Sequence, residues 1–273
     1  MDTLLASLLA TGRQVLVLLG PFAAAAALLH LLERLISARL QSRFGWRGVL
    51  LTGWLGVPVH ELSHAAACLL FGHRVERLRL FAPDPRTGQL GAVQHAWDRR
   101  SLYQQVGRFF IGVAPLVGGA LLLLLLTRLL GPPGVASAPL PADGGPLVVA
   151  RAAADRAGAL LAALAGPAAA GRWVTWLYLY LCLCIGAHMA PSSTDLRGSL
   201  AGLALLLGLM LATNLLVIGT GHDPAAGEAA ATRVLAPLLA LLVVALALGV
   251  LSLLLVTLAT ALLPERRAGA TPP

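Results

Sequence analysis

Long apolar stretches, separated by short polar ones, dominate this chain. Residues 15–36, 49–71, 109–130, 173–190, 200–218 and 234–263 are each predominantly apolar. A membrane-crossing helix needs about 20 such residues, because it rises about 1.5 Å per residue through a hydrocarbon layer about 30 Å thick. The pattern predicts an all-α polytopic membrane protein with about six transmembrane helices. The first stretch follows a short apolar start that Thr11-Gly12-Arg13-Gln14 interrupts, and it is too long for the core of a signal peptide. Arg34, Arg39, Arg43 and Arg47 mark the loop expected after it. Six spans put both termini on one side, which we take as cytoplasmic.

The most polar stretch, 72–108, has a different period. Val75-Glu76-Arg77-Leu78-Arg79-Leu80-Phe81 alternates apolar with polar, as a strand does, and Asp84-Pro85-Arg86-Thr87-Gly88 is turn chemistry. With a return strand at 90–93, this predicts a small β-hairpin directly after the second span. Residues 131–146 are rich in Pro, Gly and Ala and read as a loop. Residues 147–171 are Ala-rich with Arg151, Asp155 and Arg156, which suits an interfacial helix. The chain divides into an N-terminal helix with its basic loop (1–47), a membrane core (48–220), and a C-terminal helix with a polar tail (221–273).

Composition agrees. The chain is 58% hydrophobic and 12% charged, whereas a soluble domain is about 25% charged. All 20 basic residues are Arg, and the net charge is +8. In a soluble protein that charge would suggest nucleic acid. Here the Arg residues lie near helix ends, where they set topology and meet lipid headgroups, so the expected partner is the bilayer and not nucleic acid. The expected location is a bacterial cytoplasmic membrane. Cys68, Cys182 and Cys184 all fall in apolar segments and read as packing residues.

One stretch carries chemistry. His60-Glu61-Leu62-Ser63-His64 sits inside the second apolar span. On a helix, residues four apart leave from one face, so both imidazoles can meet at one metal ion. Glu61 follows the first ligand, where its carboxylate can take a proton from water. Zinc accepts imidazole nitrogen, and a catalytic zinc site has three protein ligands and an open position. Polar groups in a lipid-spanning helix are costly, about 2.5–3.5 kcal/mol for a charge at mid-span, and mark function.

The third ligand must come from elsewhere. Residues 65–67 are all Ala, which removes the extended motif with a third His. Glu76 lies in the polar segment, and Glu228 and Glu265 in a loop and the tail. Asp195 is the better candidate, because Pro191 and three hydroxyl residues break the apolar run around it, and irregular backbone at membrane depth lines cavities. The other reading is that Asp195 caps the fifth helix. Among the remaining polar residues, Asn214 can contact substrate backbone or bond between helices, and His188 can support a ligand or simply be buried. His30, His73, His95 and His222 have no spacing that suggests a site.

The chain resembles the site-2 protease family, the zinc intramembrane metalloproteases of the M50 type. The resemblance rests on His60-Glu61-Leu62-Ser63-His64 within a span, on the segment from Gly72-His73-Arg74-Val75 to Phe81-Ala82-Pro83, and on 191–198, and covers roughly 48–220. It implies His60, His64 and Asp195 as ligands of one zinc ion per chain, Glu61 as general base, and cleavage of a transmembrane or membrane-proximal segment of a single-span membrane protein. It also implies a membrane-associated hairpin. We read the hairpin at 75–93 as able to hold an unwound substrate by strand addition, with Val75 and Leu78 as contact positions. The chain departs from the family in two places: Thr194 precedes the Asp and Leu196-Arg197-Gly198 follows it, and Ala114-Pro115-Leu116-Val117-Gly118 replaces a Gly-Pro-x-x-Asn pattern. The rival readings are a non-catalytic protease-like partner or chaperone, against which the intact Glu61 argues, and a metal transporter, which would need further ligands across the spans.

Overall fold

The computed structural model describes residues 3–132 and 146–262. The expected tail at 264–273 and most of the loop at 131–146 lie outside them. The elements, in order, are α1 (Thr3–Gln14), α2 (Gly20–Phe44), α3 (Trp46–Leu70), β1 (Arg74–Arg79), β2 (Ala92–Ala96), α4 (Leu102–Leu130), α5 (Pro146–Ala165), α6 (Pro167–Ala170), α7 (Trp173–Gly186), α8 (Ser193–Gly219) and α9 (Ala225–Ala261).

Among the described residues, four helical stretches are long and apolar enough to cross a membrane: Thr3–Phe44, Leu102–Leu130, Ser193–Gly219 and Ala225–Ala261. The sequence pattern predicted about six. The two that fall short carry or flank the polar site. Helix α3 has the length, but its His, Glu, Ser and Gly residues dilute its apolarity. Helix α7 has 14 residues and stops at Gly186, where the backbone turns irregular. The first candidate is also longer than the apolar pattern predicted. Thr11 to Gln14 do not break it; α1 joins α2 through a wide π-helical turn, Val15–Leu19, just before Pro21. A proline cannot donate to the carbonyl four residues back, and a widened turn absorbs the mismatch.

Helix α3 lies among α2, α4 and α7, α4 packs along α8, and α9 packs along α2 and α5. The loop predicted between the first two spans is reduced to Gly45, whose φ of 61° reverses the chain between α2 and α3. The main core joins α2 (Leu29), α4 (Leu116, Leu123), α5 (Leu160), α7 (Tyr178) and α9 (Leu242), all buried. Cys182 belongs to this core, as the packing reading expected. Helix α5, read as interfacial, buries Val149, Ala153, Ala157, Leu160 and Leu164 at helical spacing and packs lengthwise on α9. The predicted hairpin is present: β1 and β2 pair antiparallel, with Val75 opposite His95 and an irregularity between Val75 and Arg77.

Candidate metal centre

The site is built where α3, α4 and the start of α8 converge. His60 and His64 point their Nε2 atoms at each other across 3.1 Å. Asp195 closes the triangle, with Oδ2 3.4 Å from His60 Nε2 and Oδ1 3.3 Å from His64 Nε2. An ion held tetrahedrally at about 2.0–2.1 Å from imidazole nitrogen separates its ligand atoms by about 3.3–3.4 Å, so the triangle is the right size for one. Two imidazole lone pairs and a carboxylate would repel one another without a cation or proton between them. The residue types suit zinc and several other first-row ions. The three residues the motif and the broken span singled out can therefore hold a metal ion.

Each imidazole is aimed from behind by a backbone carbonyl. His60 Nδ1 donates to the carbonyl of His188 at 2.7 Å, and His64 Nδ1 donates to that of Ile111 at 2.8 Å. A carbonyl only accepts, so both protons sit on Nδ1 and both Nε2 lone pairs face the site. Both carbonyls are free for a local reason. His188 lies past the end of α7, outside any helix. Ile111 is inside α4, but the residue four positions on is Pro115, which has no N–H to donate. The proline thus frees the acceptor that orients His64.

Asp195 caps α8, as one reading of the sequence has it, and stands where it could also reach a metal ion. Ser192 is the N-cap of α8, and Asp195 at the third helical position accepts from the Ser192 N–H at 2.8 Å while its own N–H donates to Ser192 Oγ. This capping box fixes the carboxylate, whose two oxygens still reach the two imidazoles. Close approach of α4 and α8 here depends on Gly112, where a Cβ would come within 2.8 Å of the Asp195 carbonyl oxygen.

Glu61 is buried and borders a cavity of about 1000 Å³ that also holds His60, His64 and Asp195. The stretch 87–95 also lines the cavity, and Gly91 presses on Glu61 so closely that a Cβ would lie 2.8 Å from Oε1. Helix α2 contributes His30 and Glu33. Glu33 Oε2 has no hydrogen-bond partner, although the residue is inside the bundle. The sequence reading passed over both; the signal was an ionisable Glu within an apolar span.

The other candidates fall in different places. His188 lines the cavity and serves His60 through its carbonyl, while its own Nε2 pairs with Thr52 Oγ1 at 3.0 Å. Asn214 is remote from the cavity, bonded to Gln14 and Thr11 of α1, which is the interhelix role. Val75 and Leu78 lie on β1, the strand away from the cavity; it is β2 and the residues before it that line the wall. A second group escaped the sequence reading: Cys68, His73 and His95 bring a sulfur and two ring nitrogens within 4.8 Å of one another. Burial first, with the Arg108 guanidinium nearby, lowers the His95 imidazole pKa from its ordinary value.

Compared with protein-family models, with curated proteins and with solved structures, the chain matches none.

Proposed function

We propose that this protein is a zinc-dependent intramembrane endopeptidase of the site-2 protease type. The observation that carries the reading is the triangle of His60, His64 and Asp195 beside Glu61, at a cavity inside a bundle with four apolar candidate spans. A zinc ion held there would supply a Lewis acid that polarises a peptide carbonyl and acidifies water. Glu61 takes the proton of the attacking water on its carboxylate and delivers it to the leaving amine nitrogen. His60 and His64 are held in one tautomer by their carbonyl acceptors, so they need no reorganisation during turnover.

The substrate is a single-span membrane protein, cleaved within or beside the bilayer. Its helix must unwind locally, because helical carbonyls are already hydrogen-bonded. Strand β2 is paired with β1 on one edge only and lines the cavity, so its other edge is where an extended substrate segment adds. This moves the expected contacts from Val75 and Leu78 to 89–95. A substrate with a single transmembrane segment, co-reconstituted in liposomes, is expected to be cut by the wild-type chain and left intact by Glu61→Gln. Equal cleavage by both would refute the reading.

One observation favours a rival. The Cys68, His73 and His95 group lies one helical turn from His64 along α3, which a metal transporter would use as a second station. Zinc uptake into sealed vesicles separates the two: the protease reading predicts none above empty liposomes.

A further inference from the structure

Helix α3 presents His60, His64 and Cys68 at four-residue intervals, so all three lie along one face. The last of them meets two histidines for reasons of local geometry. Gly72, with φ of +70°, ends α3 in a left-handed turn, and the His73 N–H donates to the Cys68 carbonyl at 2.8 Å. That turn folds His73 back over the last helical turn, where Cys68 sits. Antiparallel pairing then brings His95 to the same face: with Val75 opposite His95, His73 lies diagonal to it. The two rings lie 5.0 Å apart, with Trp97 stacked on His73 and Arg108 over Trp97.

The His73 donor atom is already set. His73 Nε2 donates to the Gln104 carbonyl at 2.8 Å, which leaves Nδ1 as its lone-pair nitrogen. His95 Nδ1 is 2.9 Å from it. Cys68 and His73 are buried, at 0% and 3% exposure, and His95 borders the large cavity. A thiolate and two imidazoles around a zinc-class ion sit about 3.3–3.5 Å apart, so the group closes on an ion by moving about 1 Å.

We propose that Cys68, His73 and His95 form a second metal site, which takes a thiophilic borderline divalent cation of the zinc class and clamps the hairpin to the helix that carries His60 and His64. Binding replaces the thiol proton of Cys68, which leaves to solvent, with a sulfur–metal bond; the one ring proton of His95, on Nδ1 where it donates to His73 Nδ1, moves to His95 Nε2 by exchange with water, so that both Nδ1 lone pairs bind the metal. No oxidant or reductant is needed. The clamp anchors the 87–95 stretch that walls the cavity, so it acts on position and not on the reaction itself. It raises the expected metal content from one ion per chain to two.

Cobalt(II) tests this independently of activity, because only a sulfur ligand gives a thiolate-to-cobalt charge-transfer band, and the His60, His64 and Asp195 set has no sulfur. The full-length protein in detergent, stripped with chelator and kept free of oxygen, is titrated with cobalt. The wild type is expected to take two equivalents and to show the band. Cys68→Ser is expected to lose the band and one equivalent, and His95→Gln to lose or weaken the band at least tenfold in affinity. Because His95 is only half-buried, its variant carries the test if Cys68→Ser fails to fold. Cys182→Ser with Cys184→Ser, and separately Asp195→Asn, are expected to keep the band. A wild type without the band, or a band that survives Cys68→Ser or His95→Gln unchanged, would overturn the proposal and leave a buried thiol beside a His–His hydrogen bond. A failed cleavage assay would not affect the outcome, so the two readings fail separately.

Discussion

The two clusters along α3 make an instructive pair. In the first, two of three donors come from one helix at a spacing of four, and only Asp195 comes from a distant segment. In the second, one donor comes from the helix, one from the turn after it and one from the far strand of a hairpin. The first is stated by the sequence almost directly, because helical periodicity alone brings His60 to His64. The second exists only once a glycine turn and a strand register have formed. The clusters also differ in support. The imidazoles of the first are each held by a backbone carbonyl and face a large cavity; the histidines of the second pack against the Trp97 ring, and the cluster meets that cavity only at His95. That division of labour suits a reactive centre and a fastening.

The largest expected effect that sharpens this contrast is Glu61→Gln. Cleavage should fall by about 10³-fold, within the range for a lost general base, while metal binding at both clusters persists. Rates measured beside metal content would check it, and a variant that lost its metal as well would show that Glu61 holds the site together instead. A subtler change is Pro115→Ala. It restores an N–H that can bond to the Ile111 carbonyl and so compete with His64 Nδ1. Metal affinity at the first cluster should drop about 10-fold, as for other outer partners of metal-bound histidines, with the cobalt–thiolate band of the second unchanged. An unchanged affinity would mean that the carbonyl is not what aims His64. The smallest effect is expected at Asn214→Leu, which removes the bonds to Gln14 and Thr11. It should cost about 0.6 kcal/mol of helix association and leave both clusters and cleavage unaltered. A loss of activity there would return Asn214 to the substrate path.

Much of this was legible in the sequence, and the failures have physical causes. The helices, the hairpin and the His60, Glu61 and His64 group follow from period and spacing. For Asp195 the choice between cap and ligand is not exclusive, because a capping-box carboxylate has two oxygens and both still lie within 3.4 Å of the imidazoles. The effect of Pro115 on Ile111 emerges only when another helix brings a donor to the freed carbonyl. Two of the six expected spans, α3 and α7, do not stand among the four long apolar candidates, because they are diluted or cut short by the very residues and the bend that build the site. Val75 and Leu78 lie on the expected strand, but alternation identifies a strand and not which edge faces a cavity, and it is β2 that lines the wall. Cys68, His73 and His95 were passed over singly, because no sequence spacing expresses a cross-strand diagonal.

The central claim is the three-donor centre, and metal analysis of the detergent-purified protein tests it most directly. Wild type, His64→Ala and Asp195→Ala would be purified side by side, with bound zinc measured against protein. The account predicts that each variant carries one equivalent less than the wild type. Zinc undiminished in Asp195→Ala would contradict it, and would reduce Asp195 to the cap of α8.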